Sequence, residues 1–244
     1  MVEYKLSNPL TIEERLEVPR LIGHDSFNYF AILGNMPIGR ADIDEEKYHA
    51  IVGHLASVER SIELLTQTQD VYLFNNSSST RLDKGSLEMM AKRLSKALIQ
   101  GKLDASISDT GSFLSHRSLM HSVLINLIRN GVVAQLGTDD VNEPVNLTVD
   151  YYSGFPENTL FIPEGARDYA TFIMFSVHNK GKSFPRYIPL ESYFARPAPE
   201  RGEGGFGLYF TKLVAKLLRA PINITSEPGN TTISFYHPVY IDLN

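Results

Sequence analysis

The sequence predicts two folded units: a helical hairpin that pairs with a second copy into a dimeric four-helix bundle, then an α+β two-layer sandwich with helices on one face of a sheet. Three observations carry this. Ile51, Leu55, Val58, Ile62 and Leu65 recur at steps of four, three, four and three, the a/d seam of a bundle helix. The run Asn75-Asn76-Ser77-Ser78-Ser79-Thr80 is polar, poor in helix formers, and reads as a linker. Beyond it, strand-like alternation is interleaved with apolar helical stretches. The expected units are 1–76 and 80–244.

The first helix of the hairpin begins near Pro19, a residue tolerated in a first helical turn. Ile22, Ser26, Tyr29 and Leu33 form its inward stripe, and Gly34, Pro37 and Gly39 stop it. Asp44, Glu45 and Glu46 suit the start of the second helix, where the macrodipole favours negative charge. One hairpin has too little core to stand alone, so a homodimer through this element is expected. After the linker, helices are expected over Leu87–Ile99, Ser118–Ala134 and Leu208–Leu218. Strands are expected over Leu103–Ser108, Val145–Tyr151, Thr171–Val177, Ile222–Thr225 and Thr231–Tyr236.

Composition excludes several function classes. The 244 residues are 43% hydrophobic and 21% charged, enough apolar material for a core without staples. Cysteine is absent, which removes disulfides, thiolate metal sites and cysteine nucleophiles. The formal charge is −5 with no basic block, so no nucleic-acid surface is expected. No apolar run approaches the ~18–20 residues a membrane span needs, and the amino terminus has no signal-peptide core. No membrane insertion and a cytoplasmic location are therefore expected.

Four stretches carry chemistry. In Gly23-His24-Asp25-Ser26-Phe27-Asn28, His24 lies about 200° round the helix from Ile22 and faces away from the inward stripe. A neutral, solvent-facing imidazole is a usable nucleophile. Asp25 could orient it or accept its proton, and Asn28 shares its face one turn on. A His-Asp pair on a helix is, taken alone, more often solvated surface. In Leu124-Ile125-Asn126-Leu127-Ile128-Arg129-Asn130, an apolar helix carries two Asn one turn apart. Asn is costly to bury unpaired. A hard cation such as Mg²⁺, or neighbouring backbone, would serve as partner.

In Val177-His178-Asn179-Lys180-Gly181-Lys182-Ser183, an apolar strand runs into a turn. A side-chain acceptor at Asn179 could read an adenine amino group, with Gly181 allowing close approach; an ordinary strand-ending turn is the alternative. Arg201-Gly202-Glu203-Gly204-Gly205-Phe206-Gly207-Leu208 opens directly onto a helix, as phosphate-cradling loops do. The Walker pattern G-x-x-x-x-G-K-[ST] is absent, and so is a strand–GxGxxG–helix unit.

The order of these stretches resembles the histidine kinases of two-component signalling, over about Pro19 to Pro238. His24–Asn35 looks like the H box in its His-Asp-x-x-Asn form, and Glu59–Leu65 like the second dimerisation helix. Asn126-Leu-Ile-Arg-Asn130-Gly131 resembles the N box, Val177–Pro185 the G1 box, Ser192-Tyr193-Phe194 the F box, and Gly204–Leu208 the G2 box. Ser226–Phe235, with Gly229 and Thr231, resembles the closing strand.

The resemblance implies a histidine-kinase/gyrase-like ATPase fold for the second unit, with ATP and Mg²⁺ as cofactors. It implies that His24 takes the γ-phosphoryl group, with Asp25 as base or orienting acid. Asn130, supported by Asn126, would hold Mg²⁺. Asn179 would meet adenine beside Gly181, while Gly205, Gly207, Leu208 and Thr231 would line the nucleotide. The partner would be a response-regulator receiver domain, whose aspartate takes the phosphoryl group; Asn28 matches the position associated with its dephosphorylation.

Asn179 stands where the family has Asp, Ser183 where it has the second G1 glycine, Gly131 where Ala is usual, and Glu203 at the first G2 glycine. An amide oxygen can still accept from an adenine amino group, more weakly than a carboxylate. These departures motivate an alternative, a non-catalytic histidine phosphotransfer adaptor with a degenerate ATP site. A serine kinase of the anti-sigma type ranks behind both, because it needs neither His24 nor the hairpin, and a purely structural dimer ranks last.

Overall fold

The computed structural model describes Thr11 and residues 80–97, 102–136, 138–140, 142–195 and 206–239. The predicted hairpin, with His24, Asp25 and Asn28, lies outside the described residues, as does Gly205. The dimeric bundle expected of it lies there too.

The second unit is an α+β structure. Seven strands are described: β1 (Thr80–Leu82), β2 (Lys102–Ile107), β3 (Phe113–Ser115), β4 (Pro144–Ser153), β5 (Thr171–Asn179), β6 (Ile222–Glu227) and β7 (Asn230–Pro238). The helices are α1 (Lys84–Ala97), α2 (Arg117–Gln135) and α3 (Phe206–Leu218). Five strands form a mixed sheet in the order β2-β4-β5-β7-β6. The β2–β4 pair is parallel and the others antiparallel. The remaining two strands, β1 and β3, make a separate antiparallel ribbon pairing Thr80 with Ser115 and Leu82 with Phe113.

Period-two burial explains the two layers. Val145, Leu147 and Val149 of β4 and Ile173, Phe175 and Val177 of β5 are buried, while Asn146, Thr148, Met174 and Ser176 between them are only partly so. The buried set joins one core with apolar residues of all three helices. In α1 these are Leu87, Met90, Ala91 and Leu94, one stripe at helical spacing. Asp83 starts this helix: its Oδ1 accepts from Ser86 N–H at 2.8 Å, which also pulls the carboxyl below its usual range. Among the described residues, no helix is long and apolar enough to cross a membrane.

The expected elements are found, most of them longer by a residue or a few, while β2 runs Lys102–Ile107 where Leu103–Ser108 is expected and the described part of α1 ends at Ala97. Helix α1 starts at Lys84 rather than Leu87, because the Asp83 cap recruits Lys84, Gly85 and Ser86 ahead of the first core leucine. The β1/β3 ribbon has no counterpart in the sequence reading. Three-residue strands give too short a period-two signal to register.

Candidate functional site

Helix α2 is the spine of the site. Its apolar residues Met120, Val123, Leu124, Leu127 and Ile128 are buried against the sheet and α3, which fixes the direction of the two asparagines. The two differ in environment. Asn126 is 7% exposed and its Nδ2 has no hydrogen-bond partner among the described residues, whereas Asn130 is exposed to solvent. Both stand on an apolar helix in the sequence, yet only the first is buried.

Gly207, in the first turn of α3, faces both. A Cβ placed there would lie 3.5 Å from Asn126 Oδ1 and 3.6 Å from Asn130 Nδ2. The start of α3 therefore comes against the two carboxamides with no side chain between. Thr211 Oγ1 donates to the Gly207 carbonyl at 2.8 Å, which ties that first turn down. Leu208, by contrast, turns its side chain into the core.

Asn179, at the end of β5, sits beside the same turn of α2. A Cβ at Gly131 would lie 3.4 Å from Asn179 Cβ and 3.1 Å from a Val145 methyl, which is why a residue smaller than Ala suits position 131. Asn179 is 4% exposed, and its Oδ1 accepts from Gly181 N–H at 3.0 Å. Gly181 is pressed against the end of α2, where a Cβ would strike the Ala134 carbonyl. The next residue seals this contact, with Lys182 N–H donating to Ala134 O at 2.8 Å.

Thr231 is opposite Asn179 in the β5–β7 register. Its hydroxyl shares a 2.9 Å hydrogen bond with Ser226, whose Oγ also accepts from Phe184 N–H at 2.9 Å. The Phe184 ring meets Tyr193 at a centroid distance of 4.7 Å. The root of the 184–194 segment is thus anchored to the closing hairpin.

Of the expected nucleotide residues, the structure brings Asn126, Asn130 and Gly207 into one cluster, with Asn179, Gly181 and Thr231 at the adjoining end of α2 and the sheet. It also reveals a brace that the sequence reading missed. Gln135, 2% exposed, donates through Nε2 to the carbonyls of Asp140 and Glu143 at 2.8 and 2.9 Å. Glu143 in turn pairs with Lys180 at 3.1 Å, joining the loop after α2 to the turn that holds Gly181. Nothing in the spacing of these residues marks them in advance.

Among the described residues, no group of three or more His, Cys, Asp or Glu side chains could hold a metal ion. A divalent cation beside Asn126 and Asn130 would rest on amide oxygens, water and ligand phosphates, the oxygen donor set that Mg²⁺ favours. The unpartnered Nδ2 of Asn126 and the bare Cα of Gly207 fit such an oxygen-rich ligand. A concavity of about 400 Å³ lies apart from this cluster between α1 and β2, lined by Lys92, Lys96, Leu103 and Ile107 among others.

No family model matches the chain. No curated protein matches it either. Among solved structures, the Acinetobacter baumannii histidine kinase AdeS is similar at 13% identity and a TM-score of 0.45, over 88% of this chain and 95% of that one.

Proposed function

We propose that the chain is a histidine protein kinase. It would bind a magnesium nucleotide at the Asn126–Asn130–Gly207 cluster and transfer its γ-phosphoryl group to His24, then to an aspartate of a response-regulator receiver domain. The observation that supports this best is the meeting of the two α2 asparagines with Gly207 at the start of α3, two segments about eighty positions apart in the sequence. ATP is the donor that the sequence resemblance implies.

Phosphoryl transfer needs positioning and charge neutralisation more than covalent help from the protein. Asn130, exposed at the rim, would hold the cation through its amide oxygen, and Asn126 would support it from the buried side. Bound Mg²⁺ supplies neutralisation of phosphate charge. The first turn of α3 offers backbone N–H groups to the phosphates, with glycine at 207 leaving them uncovered. A ring nitrogen of His24 forms the new bond to phosphorus as the β,γ-bridging oxygen leaves with the nucleoside diphosphate, and Asp25 takes the imidazole proton.

Incubation with Mg²⁺ and γ-labelled ATP and GTP in parallel tests the reading. The expected result is acid-labile label that His24→Ala abolishes. Label retained in that variant, at His49 or His54, would move the acceptor to the other helical stretch. An unlabelled wild-type chain that still accepts a phosphoryl group from a phosphorylated receiver domain would favour the adaptor.

A further inference from the structure

We propose that β2 is a self-association edge: two copies of this chain pair their β2 strands antiparallel about a two-fold axis at Ala105, joining two five-stranded sheets into one.

Strand β2 ends the order β2-β4-β5-β7-β6, and among the described residues no strand pairs with its other side. Which of its backbone groups are open follows from the ladder. Ser108 N–H donates to Val149 O at 2.9 Å, at the end of the parallel β2–β4 pair. The N–H and C=O of one residue point to the same side of a strand, and successive residues alternate. Lys102, Asp104 and Ser106 therefore turn theirs toward β4, while Leu103, Ala105 and Ile107 turn theirs outward. The side chains of the same three residues line the concavity of about 400 Å³, with Glu88, Lys92 and Lys96 of α1. A row of outward donors and acceptors beside the half-buried Leu103 and Ile107 is a template for another strand.

Side-chain charge selects a second copy as that strand. Four residues separate Ala97 from Lys102, so α1 runs back along β2, with Lys96 toward the Leu103 end and Glu88 toward the Ile107 end. Eight residues of helix rise about 12 Å and four of strand about 13 Å, so the two sets of ends match. A two-fold axis at Ala105 sets Leu103 opposite Ile107 of the second copy, and thereby Lys96 toward Glu88 of the second copy. Glu88 is available for this: its ion pair with Lys84 is 3.9 Å long and exposed. Lys92, midway, keeps Glu88 one turn before it on its own helix, the favourable order for such a pair. Shifting the register by two residues would centre the axis on Asp104 and set that carboxylate directly against its own copy, which disfavours it. With the axis at Ala105, Asp104 meets Ser106 instead.

Cysteine cross-linking of the full chain tests this. The chain has no cysteine, so Ala105→Cys places its single thiol on the exposed edge. Directly opposed, hydrogen-bonded residues of an antiparallel pair stand about 5.5 Å apart at Cα, within disulfide reach. Under a mild oxidant, Ala105→Cys is expected to form disulfide-linked dimer at least about tenfold faster than Tyr187→Cys. Tyr187 is 85% exposed and follows Phe184, which is tied to β6 at the opposite end of the sheet. Its rate therefore reads random encounter, together with any association made elsewhere in the chain. Adding Glu88→Lys to Ala105→Cys is expected to bring the rate down to that background, and adding Lys96→Glu as well is expected to restore it. Equal rates for the two single-cysteine chains would overturn the pairing and leave the edge to a different protein. A fast Ala105→Cys rate that Glu88→Lys leaves unchanged would overturn the two-fold arrangement.

Discussion

Replacing Gly181 with alanine is expected to lower the melting temperature by roughly 6–12 °C, from a loss of about 3 kcal/mol. The new Cβ would overlap the Ala134 carbonyl, which is backbone at the end of a 19-residue helix and cannot swing aside as a side chain would. Relief requires lifting the turn off α2. That breaks the Lys182–Ala134 bond and frees the Gly181 N–H from Asn179 in a buried place. The same movement withdraws Asn179 from α2, so nucleotide affinity should fall along with stability. Thermal melting and nucleotide titration of the variant check both halves. Wild-type values in both would contradict the packing described for this turn.

Acidification from pH 6.5 to about pH 4 is expected to destabilise the domain through two buried histidines. His237 is fully buried, donates from Nδ1 to the Pro238 carbonyl at 2.8 Å, and lies 5.3 Å from the Phe113 ring. Burial pushes its pKa down from 6.5 to about 4, and nearby His116 adds to the effect. Burial pushes His116 down to about 4 as well. Between these pH values the unfolded chain binds more protons than the native one, so stability falls as pH falls across that window and the loss is complete below about pH 4. Each histidine contributes on the order of 2 kcal/mol of destabilisation at pH 5. Melting temperatures at pH 7 and pH 5 should therefore differ clearly in the wild type and less in His237→Phe. An identical acid response in that variant would remove His237 from the account.

Particular residues show what the sequence could and could not reveal. The layered fold was legible because Val145, Leu147 and Val149, and the α1 stripe of Leu87, Met90, Ala91 and Leu94, repeat at the periods that strands and helices impose. The Asn126/Asn130 pair was legible as an anomaly, polar groups on an apolar helix. Their unequal burial was not, because it depends on where α3 docks and on a glycine about eighty positions away. Asn179 was legible as a strand-end polar residue. That its oxygen accepts from Gly181 N–H in a turn pressed against the end of α2 is a tertiary fact. The Gln135 brace left no trace, since a glutamine bonding two loop carbonyls has no spacing rule.

Titration of the chain with magnesium nucleotide, repeated in Asn130→Ala and with the metal chelated, asks whether the α2–α3 junction is a nucleotide site. Asn130 is exposed, so its truncation should leave the melting temperature within about 1–2 °C of wild type. The account predicts wild-type binding that depends on Mg²⁺ and weakens at least about tenfold in the variant. Equal affinity in Asn130→Ala and wild type, or affinity indifferent to chelation, would contradict it.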